Sequence, residues 1–168
     1  MKKIILIAAL AAITLVQTTF AQDTATIPMQ KVIGDYLNIK KSLTKDNADS
    51  AVAYAKILSA DLHKVSTENF SADQKKAWTE EYDELEDGAG TLAKSADLKS
   101  QRKKFADLSS HFYKIMKTLN LNTVDLFYQY CPMADAYWVS ENSKIINPYY
   151  GKQMPSCGST KETLKANH

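Results

Sequence analysis

Between residues 29 and 120 apolar side chains recur at three- and four-residue intervals, and the breaks between the periodic stretches carry cap and turn residues. The pattern predicts four helices, at about 29–44, 48–64, 72–93 and 97–119. The first has Met29, Val32, Ile33, Tyr36, Leu37 and Leu43 on one stripe, with Lys40 and Lys41 facing outward. The second turns Ala51, Tyr54, Ala55, Leu58 and Leu62 inward, and its alanines let a neighbour approach closely. The third opens on Ser71-Ala72-Asp73-Gln74, a capping-box pattern in which the serine hydroxyl and the glutamine amide satisfy backbone groups at the helix start. Its stripe is Trp78, Tyr82, Leu85, Ala89 and Leu92, and Gly88 and Gly90 mark either a kink or an early stop. Ser95 or Asp97 caps the fourth, whose face reads Leu98, Phe105, Leu108, Phe112, Ile115 and Leu119. Short connections make successive helices antiparallel, so the expected architecture is an all-α, up-down-up-down four-helix bundle.

After Asn122 the helical period lapses. Residues 126–130 and 136–140 look extended, and Asn147-Pro148-Tyr149-Tyr150-Gly151 looks like a turn. The expectation is an irregular tail, rich in tyrosine and tryptophan and carrying short extended segments, with its functional part at about 123–159 and a frayed end over 160–168. So long an irregular stretch needs an organiser: a metal, a disulfide, or rings packed on the helices.

The N-terminus reads as an export signal. Met1-Lys2-Lys3 is a basic start, residues 4–16 are apolar, and Thr19-Phe20-Ala21 is a small-x-small cleavage site before Gln22. The apolar run is too short for a bilayer span and no cysteine follows the cleavage site, so neither a membrane anchor nor a lipid attachment is expected. Residues 22–168 then form a single periplasmic or secreted domain. Without Lys2 and Lys3 the 21 basic residues fall to 19, against 19 acidic ones. That balance argues against a nucleic-acid partner, which requires a net basic surface. There is no phosphate-binding glycine loop, nucleophile-elbow serine, Cys-x-x-Cys pair or haem-attachment motif, so the chain is not expected to be an enzyme.

The candidate chemistry is sulfur. The two cysteines of the chain each travel with a methionine, in Cys131-Pro132-Met133 and Met154-Pro155-Ser156-Cys157. Thiolates and thioethers select Cu(I) over harder divalent ions, with Ag(I) and Zn(II) as further possibilities. Cys131 and Met133, two apart, project to one side of an extended strand, and Met154 and Cys157 share one side of a turn. His111, on the border of the fourth helix's apolar face, is a supplementary candidate ligand. The competing reading is a Cys131–Cys157 disulfide, favoured by an oxidising compartment and closing a loop of about 25 residues worth ~3–4 kcal/mol on chain-entropy grounds. Residue chemistry leaves both open.

Several of these segments occur in order in one known pattern: Tyr130-Cys131-Pro132-Met133-Ala134, Ala136-Tyr137-Trp138-Val139-Ser140, Ile146 to Gly151, and Met154 with Cys157-Gly158, together with Gln101-Arg102 and Phe105 to Ser109. The chain resembles a bacterial periplasmic domain of unknown function, found alone behind signal peptides or at the C-terminal end of adaptor (membrane-fusion) subunits of copper and silver efflux pumps. The resemblance implies a helical domain handling Cu(I) or a similar ion, with an efflux adaptor or another periplasmic metal-handling protein as partner. The Cys-Pro-Met element also resembles the motif of small heavy-metal-binding modules in those pumps, although Ala134 and Asp135 stand here where those modules often have a histidine.

Overall fold

The computed structural model describes residues 20–167, with side chains from Ala25 onward. The export signal lies almost wholly outside the described residues. Four helices follow in order: α1 (Phe20–Thr44), α2 (Ala48–Leu62), α3 (Ala72–Ala93) and α4 (Leu98–Leu119). Helix α1 starts nine residues before the predicted point and runs through Pro28. Neither Gly88 nor Gly90 interrupts α3. The starts of α2, α3 and α4 have side-chain caps: Asn47 accepts the Ser50 N–H on α2, Ser71 and Gln74 form a capping box on α3, and Asp97 accepts the Ser100 N–H on α4. Among the described residues no helix is long and apolar enough to cross a membrane.

Successive helices pack on one another around Met29, Val32, Tyr36, Leu58, Leu85, Leu92, Phe105, Leu108 and Phe112, all fully buried or nearly so. The stripes that set the helical period are the faces that meet.

The expectation of an all-α fold with an irregular tail is overturned. Strands β1 (Leu126–Cys131), β2 (Ala136–Ser140) and β3 (Ser159–Leu164) form an antiparallel sheet in the order β2-β1-β3. Register pairs Tyr128 with Val139 and Tyr130 with Tyr137 on one side, and Tyr130 with Ser159 on the other. A bulge at Tyr128/Gln129 shifts the β1–β3 ladder. The sheet escapes hydrophobic-pattern reading because β3 is Ser-Thr-Lys-Glu-Thr-Leu, an edge strand whose side chains mostly face water. It is held by backbone pairing to the centre and by Leu164, which alone in it is buried.

The sheet docks on α1 and α4. The Tyr36 ring lies between Phe105 and Phe112, with centroids 5.2 Å and 3.9 Å away, and its hydroxyl meets Ser109 Oγ at 2.7 Å and accepts the Val139 N–H at 3.0 Å. Lys40, expected outward, is buried: its ammonium donates to Ser140 Oγ at 3.0 Å and pairs with Glu141, because β2 ends above it. Burial pushes the Lys40 pKa down against the opposing pull of Glu141. On the other side, rings of Tyr113, Tyr128, Tyr137 and Tyr130 touch in sequence at 3.6, 4.8 and 4.5 Å between centroids, tying α4 to the sheet.

Candidate metal centre

Cys131 is the last residue of the central strand, and Cys157 lies two residues before the edge strand that pairs with it. The pairing therefore sets the two sulfurs side by side, and their Sγ atoms are 3.1 Å apart with both thiols free. Gly158 makes this approach possible. It has φ +143°, and a Cβ there would stand 2.8 Å from both Trp138 Cη2 and the Tyr130 carbonyl oxygen.

The four-residue connection Pro132 to Asp135 returns the chain to Ala136, which pairs with Cys131, and Asp135 takes the left-handed conformation the turn requires at φ 45°. In this tight turn the N–H groups of Met133 and Ala134 point back at the Cys131 sulfur. The amide of Asn147 adds a third donor. Burial pushes the Cys131 thiol up, but hydrogen bonds from Cys157, the Ala134 N–H, the Asn147 amide and the Met133 N–H together outweigh it, so the group lies below its ordinary value. Cys157 is pushed up, first by its hydrogen bond to Cys131, then by burial and the adjacent Cys131 charge. The resulting arrangement is a buried thiol whose ionisation is favoured by hydrogen bonds, beside a partly exposed thiol.

Asn147 holds the second half of the site. It is fully buried; its amide donates to the Cys157 carbonyl at 2.7 Å, its Oδ1 accepts the N–H groups of Tyr149 (2.7 Å) and Tyr150 (3.2 Å), and its own N–H reaches the Pro155 carbonyl at 2.8 Å. The loop so fixed is anchored to the helices by Arg102, whose Nε donates to the Pro148 carbonyl at 2.9 Å and whose Nη2 reaches the Leu43 carbonyl and Asp46. Gly151, at φ 53°, passes so close that a Cβ would lie 1.9 Å from Asp46 Oδ1.

Of the residues proposed from sequence, the structure brings Cys131 and Cys157 together. Met133 sits in the turn between them, with its N–H directed at both sulfurs and its side chain 60% exposed. Met154 caps the short 3₁₀ turn Gly151–Gln153, partly exposed, three residues before Cys157. His111 is not brought to the sulfurs. It is on α4 with its Nδ1 2.5 Å from Glu81 of α3, which also pairs with Lys114, and among the described residues it forms no group with the two cysteines. Among the described residues no three or more His, Cys, Asp or Glu side chains gather as a metal-binding group, so a soft ion here would have only the two cysteine sulfurs and methionine thioethers as ligands.

Sequence reading missed the role of Asn147 and of the turn amides. The signals were present: an asparagine before proline invites local backbone bonding, and proline one residue after Cys131 pre-sets a turn that aims later N–H groups back at it.

No curated protein and no solved structure gives a significant match to this chain. One family profile, described as a protein of unknown function (DUF3347), matches residues 32–123, which span α1 from Val32 through α4 and stop short of the cysteine pair. That match extends over more than half of the chain, and by its four helices the chain belongs to that family.

Proposed function

We propose that this is an exported soft-metal-binding protein that holds Cu(I) between Cys131 and Cys157 and serves metal efflux or sequestration, with an efflux adaptor or another periplasmic metal-handling protein as its exchange partner. The observation that carries the reading is the sulfur pair itself: two free thiols in contact at 3.1 Å, one already surrounded by the N–H donors that stabilise a thiolate. Two thiolates on one tetrahedral ion with metal–sulfur bonds near 2.3 Å stand about 3.8 Å apart. Rotation of the less buried Cys157 side chain supplies that separation. The unbranched, solvent-exposed Met133 supports the reading as a thioether able to fold over the pair.

A Cu(I) titration of the reduced mature chain against a chromophoric chelator tests it. One equivalent bound tightly, with affinity lost in Cys131→Ser and Cys157→Ser and lowered in Met133→Leu, is expected. Absence of binding, or binding unchanged in the cysteine variants, refutes it.

A second reading is a non-catalytic interaction domain whose sheet is stapled by a Cys131–Cys157 disulfide; the observation in its favour is that strand pairing places the two sulfurs in contact. Thiols counted in protein from the oxidising compartment separate the two. Two accessible thiols that copper protects favour the binder, and a pair that stays bonded under mild reductant favours the staple.

A further inference from the structure

The two sulfurs are in contact but differ in their access to solvent. Cys131 Sγ is sealed from solvent at the end of the central strand, where the chain turns back to Ala136. Cys157 lies in the loop leading to the edge strand, partly open to water, with its sulfur 3.1 Å from that of Cys131. Exchange proceeds by in-line attack of a thiolate on one sulfur with departure of the other, and an external thiolate attacks only a sulfur it can reach. Cys157 meets that condition and Cys131 does not.

From this placement we infer that Cys131 and Cys157 form a redox-active couple that exchanges with small-molecule thiols and disulfides through Cys157, with Cys131 as the departing and resolving sulfur. In reduction, an external thiolate attacks Cys157 Sγ of the bonded pair; the new sulfur–sulfur bond forms there, the Cys131–Cys157 bond breaks, and its electron pair leaves on Cys131. A second external thiolate attacks its own kind in the mixed disulfide, freeing Cys157 as thiolate. Two external thiols are thereby oxidised to one disulfide, and the protein pair gains two electrons. Oxidation is the same path reversed, with Cys131 attacking the mixed disulfide on Cys157 and expelling the small thiolate. The partial exposure of Cys157 separates this pair from a buried structural staple, which external thiols cannot reach. The exchange uses the same sulfurs as the proposed metal site but requires no metal.

The experiment equilibrates the metal-free full mature chain with mixtures of reduced and oxidised glutathione, quenches with acid and maps adducts by mass spectrometry. In wild type the pair is expected to open and close within the range of glutathione ratios, with the glutathione adduct on Cys157 exceeding that on Cys131 by at least about tenfold. Cys131→Ser is expected to accumulate the Cys157 adduct, and Cys157→Ser to leave Cys131 unmodified while folded, as judged by its circular dichroism. A pair that remains bonded at every ratio, a pair that never bonds, or adducts mapping chiefly to Cys131 would overturn the inference. Wild-type mapping decides the matter even if a variant does not fold. A Cu(I) titration of the same reduced sample distinguishes the two ideas: exchange without copper binding removes the metal reading alone, and copper binding without exchange removes this one.

Discussion

Asp35 on α1 and Asp61 on α2 form a carboxyl pair, and they divide one proton unequally. Burial, the Asp61 charge and a hydrogen bond to Asp61 push Asp35 up to about 6, whereas Lys64, at one side of Asp61, holds that group low. Lys31 and Lys64 oppose the rise at Asp35 only in part. A folded-state pKa above the unfolded value of 3.8 means that the native protein binds this proton more tightly, so the contribution is present at acid pH and is lost as pH rises through about 6. Asp35→Asn keeps a donor for Asp61 without the titration. It should raise stability at pH 8 by on the order of 1 kcal/mol, discounted for the solvent exposure of Asp35, and flatten the stability profile between about pH 4 and 6, which urea melts at each pH would reveal. Gly151 makes a sharper residue-scale prediction. Because its φ is positive and Asp46 occupies the place of a Cβ, Gly151→Ala should cost about 1–3 kcal/mol and loosen the 147–157 loop, seen as faster amide exchange at Tyr149 and Tyr150.

Among elements, the junction between helices and sheet depends on Tyr36. Its hydroxyl serves a side chain of α4 and a backbone N–H of β2 at once, and Tyr36, Ser109 and Val139 are all fully buried. Tyr36→Phe keeps the ring stack but leaves the Val139 N–H and Ser109 unpaired, so a loss of about 1–3 kcal/mol is expected in thermal or chemical melts, with the helices retaining their circular dichroism. The helices themselves were legible in the sequence because each buries one stripe, and the caps at Ser71 and Asp97 mark their starts chemically. The sheet was legible only as two extended segments, at 126–130 and 136–140, for three physical reasons. Its edge strand is polar, its outer tyrosines at 128, 130 and 137 bury themselves on one another instead of in a core, and strand pairing joins residues whose separation no local pattern records. The cysteines could be paired from composition, since the chain has only two, but the donors around Cys131 come from a turn and a distant asparagine that only the folded chain assembles. Lys40 shows the opposite failure: a charged residue on a helix reads as exposed until another element covers it.

At the scale of the whole molecule, the sulfur pair belongs to a sheet that is itself fixed to the helices through Tyr36, Lys40, Arg102 and the tyrosine stack. Closing the Cys131–Cys157 bond therefore constrains a segment that is already ordered, and it forfeits the hydrogen bonds that the free Cys131 sulfur receives. Oxidation should stabilise the protein by less than the ~3–4 kcal/mol that loop closure alone suggests. Melting temperatures of oxidised and reduced samples at one pH check this; a difference matching or exceeding the full loop-closure value would count against it.

The contact between Trp138 and Gly158 turns the protein into its own optical gauge. Its indole is wholly buried against the residue next to Cys157, whereas Trp78 belongs to α3 and packs edge-on against Phe70 and tilted against Tyr82. In a Trp78→Phe background, a single fluorophore would report the state of the sulfur pair, dimming when a disulfide or a heavy ion quenches it and brightening when thiols are restored, without dye or label.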